Sequence, residues 1–236
     1  AQAVKLRREA FGNLTPADWQ ILNKVKDDLW TRQPVYTDLL LDKVDFPKLF
    51  EAALSIASGV DSARPLLVAG IAKMNRQALE FELDTPAGLV AIGGATGNAH
   101  LKEAVLIVDL GGNDVYASGA GSSARVASGI SLVMDLAGDD LYISRDKYAQ
   151  GAGVFGVGIL VDCAGDDRYN DEKSRVSFAQ GSALVGVGVL WGEMYSPYWE
   201  GSNANLWPHN MIALLTETAS SRMGSTVIQE RADPSR

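Results

Sequence analysis

The apolar positions of this chain change rhythm along its length. Up to about residue 82 they fall at helical spacing. From residue 104 they come as short unbroken runs, each closed by an aspartate and a glycine-containing turn. The run Leu106-Ile107-Val108-Asp109-Leu110-Gly111-Gly112-Asn113-Asp114-Val115-Tyr116 returns as Leu132-Val133-Met134-Asp135-Leu136-Ala137-Gly138-Asp139-Asp140-Leu141-Tyr142. It returns again as Ile159-Leu160-Val161-Asp162-Cys163-Ala164-Gly165-Asp166-Asp167-Arg168-Tyr169. A fourth run, Val187-Gly188-Val189-Leu190-Trp191, puts Gly192 where the aspartate is due, so the aligned positions step by 26, 27 and 30 residues. A second phrase, Ala149-Gln150-Gly151, recurs as Ala179-Gln180-Gly181.

Short β-branched runs bounded by turn residues predict buried strands. Gly-Asp-Asp is turn chemistry, since glycine adopts positive φ and aspartate bonds its own backbone. Segments Asp140–Ile143 and Lys147–Gln150 predict a second and a third short strand in the unit. A fixed period of this size predicts stacked units. The expected fold is mainly β with an α-helical N-terminal part: a parallel β-solenoid of about 26–30-residue coils capped by helices, with like residues stacked about 4.8 Å apart.

The N-terminal part supplies the cap. Thr15-Pro16-Ala17-Asp18 predicts a helix N-terminus, followed by Trp19, Leu22, Val25, Leu29 and Trp30 at helical spacing. Phe46 to Ser58, ending near Gly59, predicts a second helix and Pro65 to Leu79 a third. Pro86 to Gly94 predicts a strand that makes the transition. Three regions result: a helical cap over 1–82, the repeats over 83–192, and a C-terminal cap or remnant over 193–236. Gly93-Gly94-Ala95-Thr96-Gly97-Asn98 is glycine-rich, but it opens no helix and lacks the lysine of a phosphate loop.

Composition narrows the partners. The chain has 236 residues, 47% of them apolar, a net charge of −8 and no 18-residue apolar run. A transmembrane segment is therefore not expected, nor is nucleic acid as a partner, since no basic patch stands out. The lone Cys163 excludes an intrachain disulfide framework and occupies the column of Leu110 and Leu136, as a buried structural thiol would. The Ala-Gln-Ala start is what removal of a signal peptide would leave. The expected location is secreted, periplasmic or at the cell surface.

The acidic columns ask for chemistry. Asp109, Asp135 and Asp162 form one, Asp114, Asp140 and Asp167 another, and Asn113, Asp139 and Asp166 a third. Carboxylates about 5 Å apart repel by about 1 kcal/mol per pair in water and by several-fold more near a protein surface. Two arrangements relieve this. Each side chain can cap its own turn, or Ca²⁺ can sit between units, bound by Asp109, Asp114, Asp135, Asp140, Asp162 and Asp167. The column Tyr116, Tyr142 and Tyr169 predicts an aromatic ladder.

The strand, Asp-x-x-Gly-Asp-Asp-x-Tyr and Ala-Gln-Gly pattern resembles a group of uncharacterised bacterial repeat proteins over about residues 85–190. Gly-Asp-Asp-x-Tyr is also similar to half of the calcium-binding repeat of secreted repeat-in-toxin proteins, whose units are much shorter. Leu206-Trp207-Pro208-His209-Asn210-Met211-Ile212, with Thr216-Glu217 after it, resembles the C-terminal part of bacterial zinc carboxypeptidase-like proteins. That resemblance implies Glu217 as the general base and acid on a zinc-bound water. It also implies Zn²⁺ held by a His-x-x-Glu pair and a distant histidine, for which the chain offers His100, Glu103 and His209.

Two function classes follow. The first is a non-catalytic secreted or surface module, structural or binding, that is calcium-loaded and meets a protein or a surface glycan. The second is a zinc metallocarboxypeptidase-like hydrolase or a fragment of one. A polysaccharide-active enzyme is a weaker third, because no basic residue marks a site among the carboxylates.

Overall fold

A computed structural model describes residues 1–27, 34–71, 80–144, 146–169 and 180–191. Four helices come first: α1 (Gln2–Ala10), α2 (Pro16–Asp27), α3 (Pro34–Lys43) and α4 (Phe46–Ile71). Among the described residues twelve strands follow. Six of them, β1 (Glu80–Thr85), β2 (Gly88–Gly93), β4 (Leu106–Asp109), β6 (Ile130–Asp135), β9 (Val157–Asp162) and β12 (Val187–Trp191), form the main sheet in the order β1-β2-β4-β6-β9-β12. A second sheet has the order β10-β7-β5-β3, with β3 (Ala99–His100), β5 (Val115–Tyr116), β7 (Leu141–Tyr142) and β10 (Arg168–Tyr169). A third pairs β8 (Gly153–Val154) with β11 (Ala183–Leu184).

The repeats pair in register. Asp109 lies opposite Asp135, and Asp135 opposite Asp162, in parallel strands. Side chains of these strands alternate between two buried faces. Ile130, Met134, Val157, Ile159 and Val161 meet Ala3 and Leu6 of α1 and Ala52 of α4. Val133, Leu160 and Ile107 point the other way, toward Tyr116 and Tyr142 of the second sheet. A sheet covered on both faces has no polar side to show, which is why its strands read as near-continuous apolar runs.

This arrangement corrects the expected parallel β-solenoid capped by helices. The main sheet is mixed, because β1 pairs antiparallel with β2 through a turn at Pro86-Ala87. The three sheets hold six, four and two strands rather than three equal faces. The third short strand falls at Gly153–Val154, not at Lys147–Gln150. The helices also do not close the end of a stack: α1 and α4 lie on the face of the main sheet, where the outward half of every strand needs an apolar cover. The architecture is a layered one, with helices over a mixed sheet and short-strand sheets beyond it.

Two helix boundaries differ for the same reason. Residues 46–71 form one helix that runs through Gly59 and Pro65. Its inner positions Ala52, Ala53, Ile56, Val60, Leu67 and Ile71 keep helical spacing past both breakers and pack on the sheet. That burial outweighs the roughly 1 kcal/mol for glycine and 3 kcal/mol for proline that local propensity charges. Residues 72–79, and Leu29 and Trp30, lie outside the described residues. Helix α1 was not expected from its spacing. Arg7 anchors it, with Nε donating to the Phe155 carbonyl at 2.9 Å and the guanidinium stacked over Phe11 and Trp19. Burial lowers the Arg7 pKa to about 10.

The start of α2 is as expected. The Asp18 backbone N–H donates to Thr15 Oγ1 and the Thr15 N–H to Asp18 Oδ2, a reciprocal cap. Asp18 also receives Lys43 at 2.8 Å, tying α2 to α3, and the Lys43 and Thr15 bonds hold its pKa down at about 2. Among the described residues no helix is long and apolar enough to cross a membrane.

The turns of the repeats and the long helix make opposite demands on glycine. At Gly138 φ is +153° and an added Cβ would lie 1.5 Å from the Gly112 carbonyl oxygen, while nothing lies within 4 Å of one at Gly59. Gly138→Ala should therefore cost more than about 3 kcal/mol, whereas Gly59→Ala should gain about 1 kcal/mol. Urea titration of both variants measures this, and equal effects would contradict the packing described.

Candidate metal centre

The repeat strands β4, β6 and β9 each end on an aspartate whose side chain points away from the helices, into the space between the two larger sheets. The chain then turns on glycine and returns with a second acid. Asp109 Oδ1 accepts the Gly111 N–H at 3.0 Å, and Asp135 Oδ1 accepts the Ala137 N–H at 2.9 Å. These are turns closed by their own aspartate. The second acids bond between units. The N–H groups of Asn98, Asp114 and Asp140 donate to Oδ1 of Asp114, Asp140 and Asp167, at 2.5, 2.7 and 2.8 Å. The exposed third column runs in the opposite sense: the Asp139 N–H donates to Asn113 Oδ1 and the Asp166 N–H to Asp139 Oδ1.

An aromatic column stands beside the acids. His100, Tyr116, Tyr142 and Tyr169 stack with centroid separations of 4.9, 4.6 and 4.6 Å. Tyr116 donates its hydroxyl to Asp135 Oδ2 at 2.5 Å and Tyr169 to Asp162 Oδ2 at 2.6 Å. His100 Nε2 lies 2.7 Å from Asp109 Oδ2. Glycine at position 93 makes room for that carboxylate, since a Cβ there would lie 1.8 Å from Asp109 Oδ2. Burial, followed by the neighbouring acids, raises the phenol pKa values of Tyr116 and Tyr169, which keeps these hydroxyls as donors.

Two sets of carboxylates converge. Asp109, Asp114 and Asp135 bring one oxygen each within 4.8 Å of one another, and so do Asp135, Asp140 and Asp162. All five side chains are at most 2% exposed. Among the described residues Asp114 Oδ2, Asp140 Oδ2, Asp162 Oδ1 and the Tyr142 hydroxyl are buried without a hydrogen-bond partner. Burial is the main cause that raises Asp114 to about 6, Asp135 and Asp167 to about 7, and Asp140 to about 8. A hard cation has metal–oxygen distances of about 2.3–2.6 Å, so opposed ligands stand up to about 5 Å apart. The observed separations fit that span. Oxygen donors alone suit calcium, magnesium or manganese rather than a thiolate- or imidazole-seeking metal.

Of the six acids expected to bind calcium, the structure brings five into these two sets. Asp167 is in neither, its Oδ1 being used by the Asp140 N–H. The residues expected to hold zinc do not gather among the described residues. His100 is engaged with Asp109, while Glu103 Oε1 accepts the Gly119 N–H, and neither belongs to a set of three possible ligands. His209 and Glu217 lie outside the described residues.

Sequence reasoning missed the place of His100 in the aromatic column. The signal was present. Gly93, Asn98 and His100 repeat the offsets of Asp109, Asp114 and Tyr116, and they pair with them after a step of only 16 residues. A search at the period of the later units passes over it.

Comparison of the chain with known protein families, with curated proteins and with solved structures finds no match.

The raised carboxyl values set a pH dependence with a definite sign. In chelator the folded protein binds more protons than the unfolded chain between about pH 4 and pH 8, so its stability falls as pH rises through that window. Asp18 acts oppositely, but only below about pH 4. The melting midpoint measured in chelator should drop from pH 5 to pH 8. A flat or rising midpoint would mean that the acids are already ionised and satisfied in the fold.

Proposed function

We propose that the chain is a non-catalytic structural or binding module, secreted or displayed at a surface, whose inner acidic columns are held together by calcium. The observation that carries this reading is the set of buried carboxylate oxygens with no hydrogen-bond partner: Asp114 Oδ2, Asp140 Oδ2 and Asp162 Oδ1. An unpaired buried charge is costly unless it is neutralised or paired, and a divalent cation neutralises two acids at once.

Burial also favours a structural ion over a catalytic one. A catalytic metal keeps a coordination position open to water and substrate, whereas these acids are closed off between two sheets and an aromatic stack. Modules outside the cell meet calcium at concentrations where dissociation constants of about 10⁻⁴–10⁻³ M suffice. That suits a site made from turns which other units already close with hydrogen bonds alone. A protein or a surface glycan is the kind of partner such a module would carry.

Thermal melts at pH 7.5 in chelator and in excess Ca²⁺ test the reading. At a hundredfold excess over the dissociation constant, binding adds about 2.7 kcal/mol, a rise of about 5–10 °C for a chain of this size. The rise should shrink at pH 5, where protons compete for the same oxygens. An unchanged midpoint, with no calcium found by elemental analysis of the purified protein, would leave the aspartates as turn-formers in a metal-free scaffold.

A further inference from the structure

The two carboxylate sets look alike in sequence and differ in what their oxygens already do. In the first set Asp109 has both oxygens engaged, Oδ1 by the Gly111 N–H and Oδ2 by His100. Asp135 is engaged at both as well, by the Ala137 N–H and the Tyr116 hydroxyl. Only Asp114 Oδ2 is left without a partner there. In the second set Asp140 and Asp162 each keep one unpartnered oxygen.

A neutral oxygen completes the contrast. The Tyr142 side chain is 0% exposed and stacked between Tyr116 and Tyr169 at 4.6 Å on either side. Both neighbours spend their hydroxyls on column acids, Tyr116 on Asp135 and Tyr169 on Asp162. The Tyr142 hydroxyl alone has no partner among the described residues, and the charges that act on it include Asp162 and Asp135. Three buried oxygens without partners therefore belong to one place, and one to the other.

Resting on the calcium reading above, we infer that the described residues hold one hard divalent cation, in the set Asp135, Asp140 and Asp162 with the Tyr142 phenol oxygen as an additional donor. The set Asp109, Asp114 and Asp135 takes none, its side of the ladder being filled by the His100 ring. In that set Asp140 Oδ2, Asp162 Oδ1 and the Tyr142 hydroxyl are open; Asp135, which both sets share, would lend an oxygen that already accepts a hydrogen bond, and further oxygens would complete the six to eight that calcium uses. The first set has no counterpart to Tyr142, because its rung of the aromatic column is where Tyr116 is already bonded to Asp135.

Calorimetric titration with Ca²⁺, and with Tb³⁺ read by tyrosine-sensitised luminescence, gives the stoichiometry and the site. One equivalent is expected. Asp140→Asn and Asp162→Asn should abolish binding, whereas Asp114→Asn should keep one equivalent at an affinity within a few-fold of the parent. Asparagine at position 140 retains the Oδ1 acceptor for the Asp114 N–H, so Asp140→Asn should melt in chelator no lower than the parent while losing its response to calcium. Tyr142→Phe, which leaves every acid in place, should weaken binding by about tenfold or more. Two equivalents, or loss of binding in Asp114→Asn with retention in Asp140→Asn, would overturn the placement and leave the calcium reading standing. No binding of either ion to the parent would overturn both.

Discussion

Parallel strands in register put like residues on top of one another, and on the inner face of this sheet the like residue is an aspartate. Asp109, Asp135 and Asp162 cannot move apart, because the hydrogen bonds that pair β4, β6 and β9 fix their spacing. Nor can they turn to water, because helices cover one face and the aromatic column the other. Several features of the site answer that constraint. Turn N–H groups, tyrosine hydroxyls and a histidine ring are each placed against one carboxylate oxygen, while Asp114 Oδ2, Asp140 Oδ2 and Asp162 Oδ1 stay unserved.

The hydrogen bonds and the proposed cation would be unequal remedies. A bond from a backbone N–H to a carboxylate contributes about 1.5–3 kcal/mol, enough to direct a side chain but not to cancel several neighbouring charges in a low dielectric. Proton uptake by Asp140 and its neighbours is the other remedy open to the chain alone, and it fades as pH rises. A divalent ion works where protons are scarce, which makes the two remedies complementary across the pH range.

Much of this was legible in the sequence, for a simple reason. Repetition at a fixed step is a statement about register, so the columns Asp109/Asp135/Asp162 and Tyr116/Tyr142/Tyr169 could be written down before any coordinates. What repetition does not carry is the cover on a strand's other face. Ile130, Met134 and Val161 read simply as apolar; that they meet Ala3, Leu6 and Ala52 is a long-range fact with no local trace. The solenoid expectation failed at that point, as did the helix breaks assigned to Gly59 and Pro65. The strand at Glu80–Thr85 shows in the alternation of Phe81 and Leu83 with acids, but it follows directly on the helical region in sequence, stays exposed, and opens the sheet antiparallel. His100 was hidden by a shortened step rather than by weak chemistry.

The inner and outer acidic columns pass their hydrogen bonds in opposite directions between the same units. Mechanically this is a clamp. Sliding one repeat strand past the next by a single residue would turn its aspartate toward the helices and would break both sets of bonds together, since both join the same pair of turns. The acids that strain the interior at rest are the same groups that would make it resist shear.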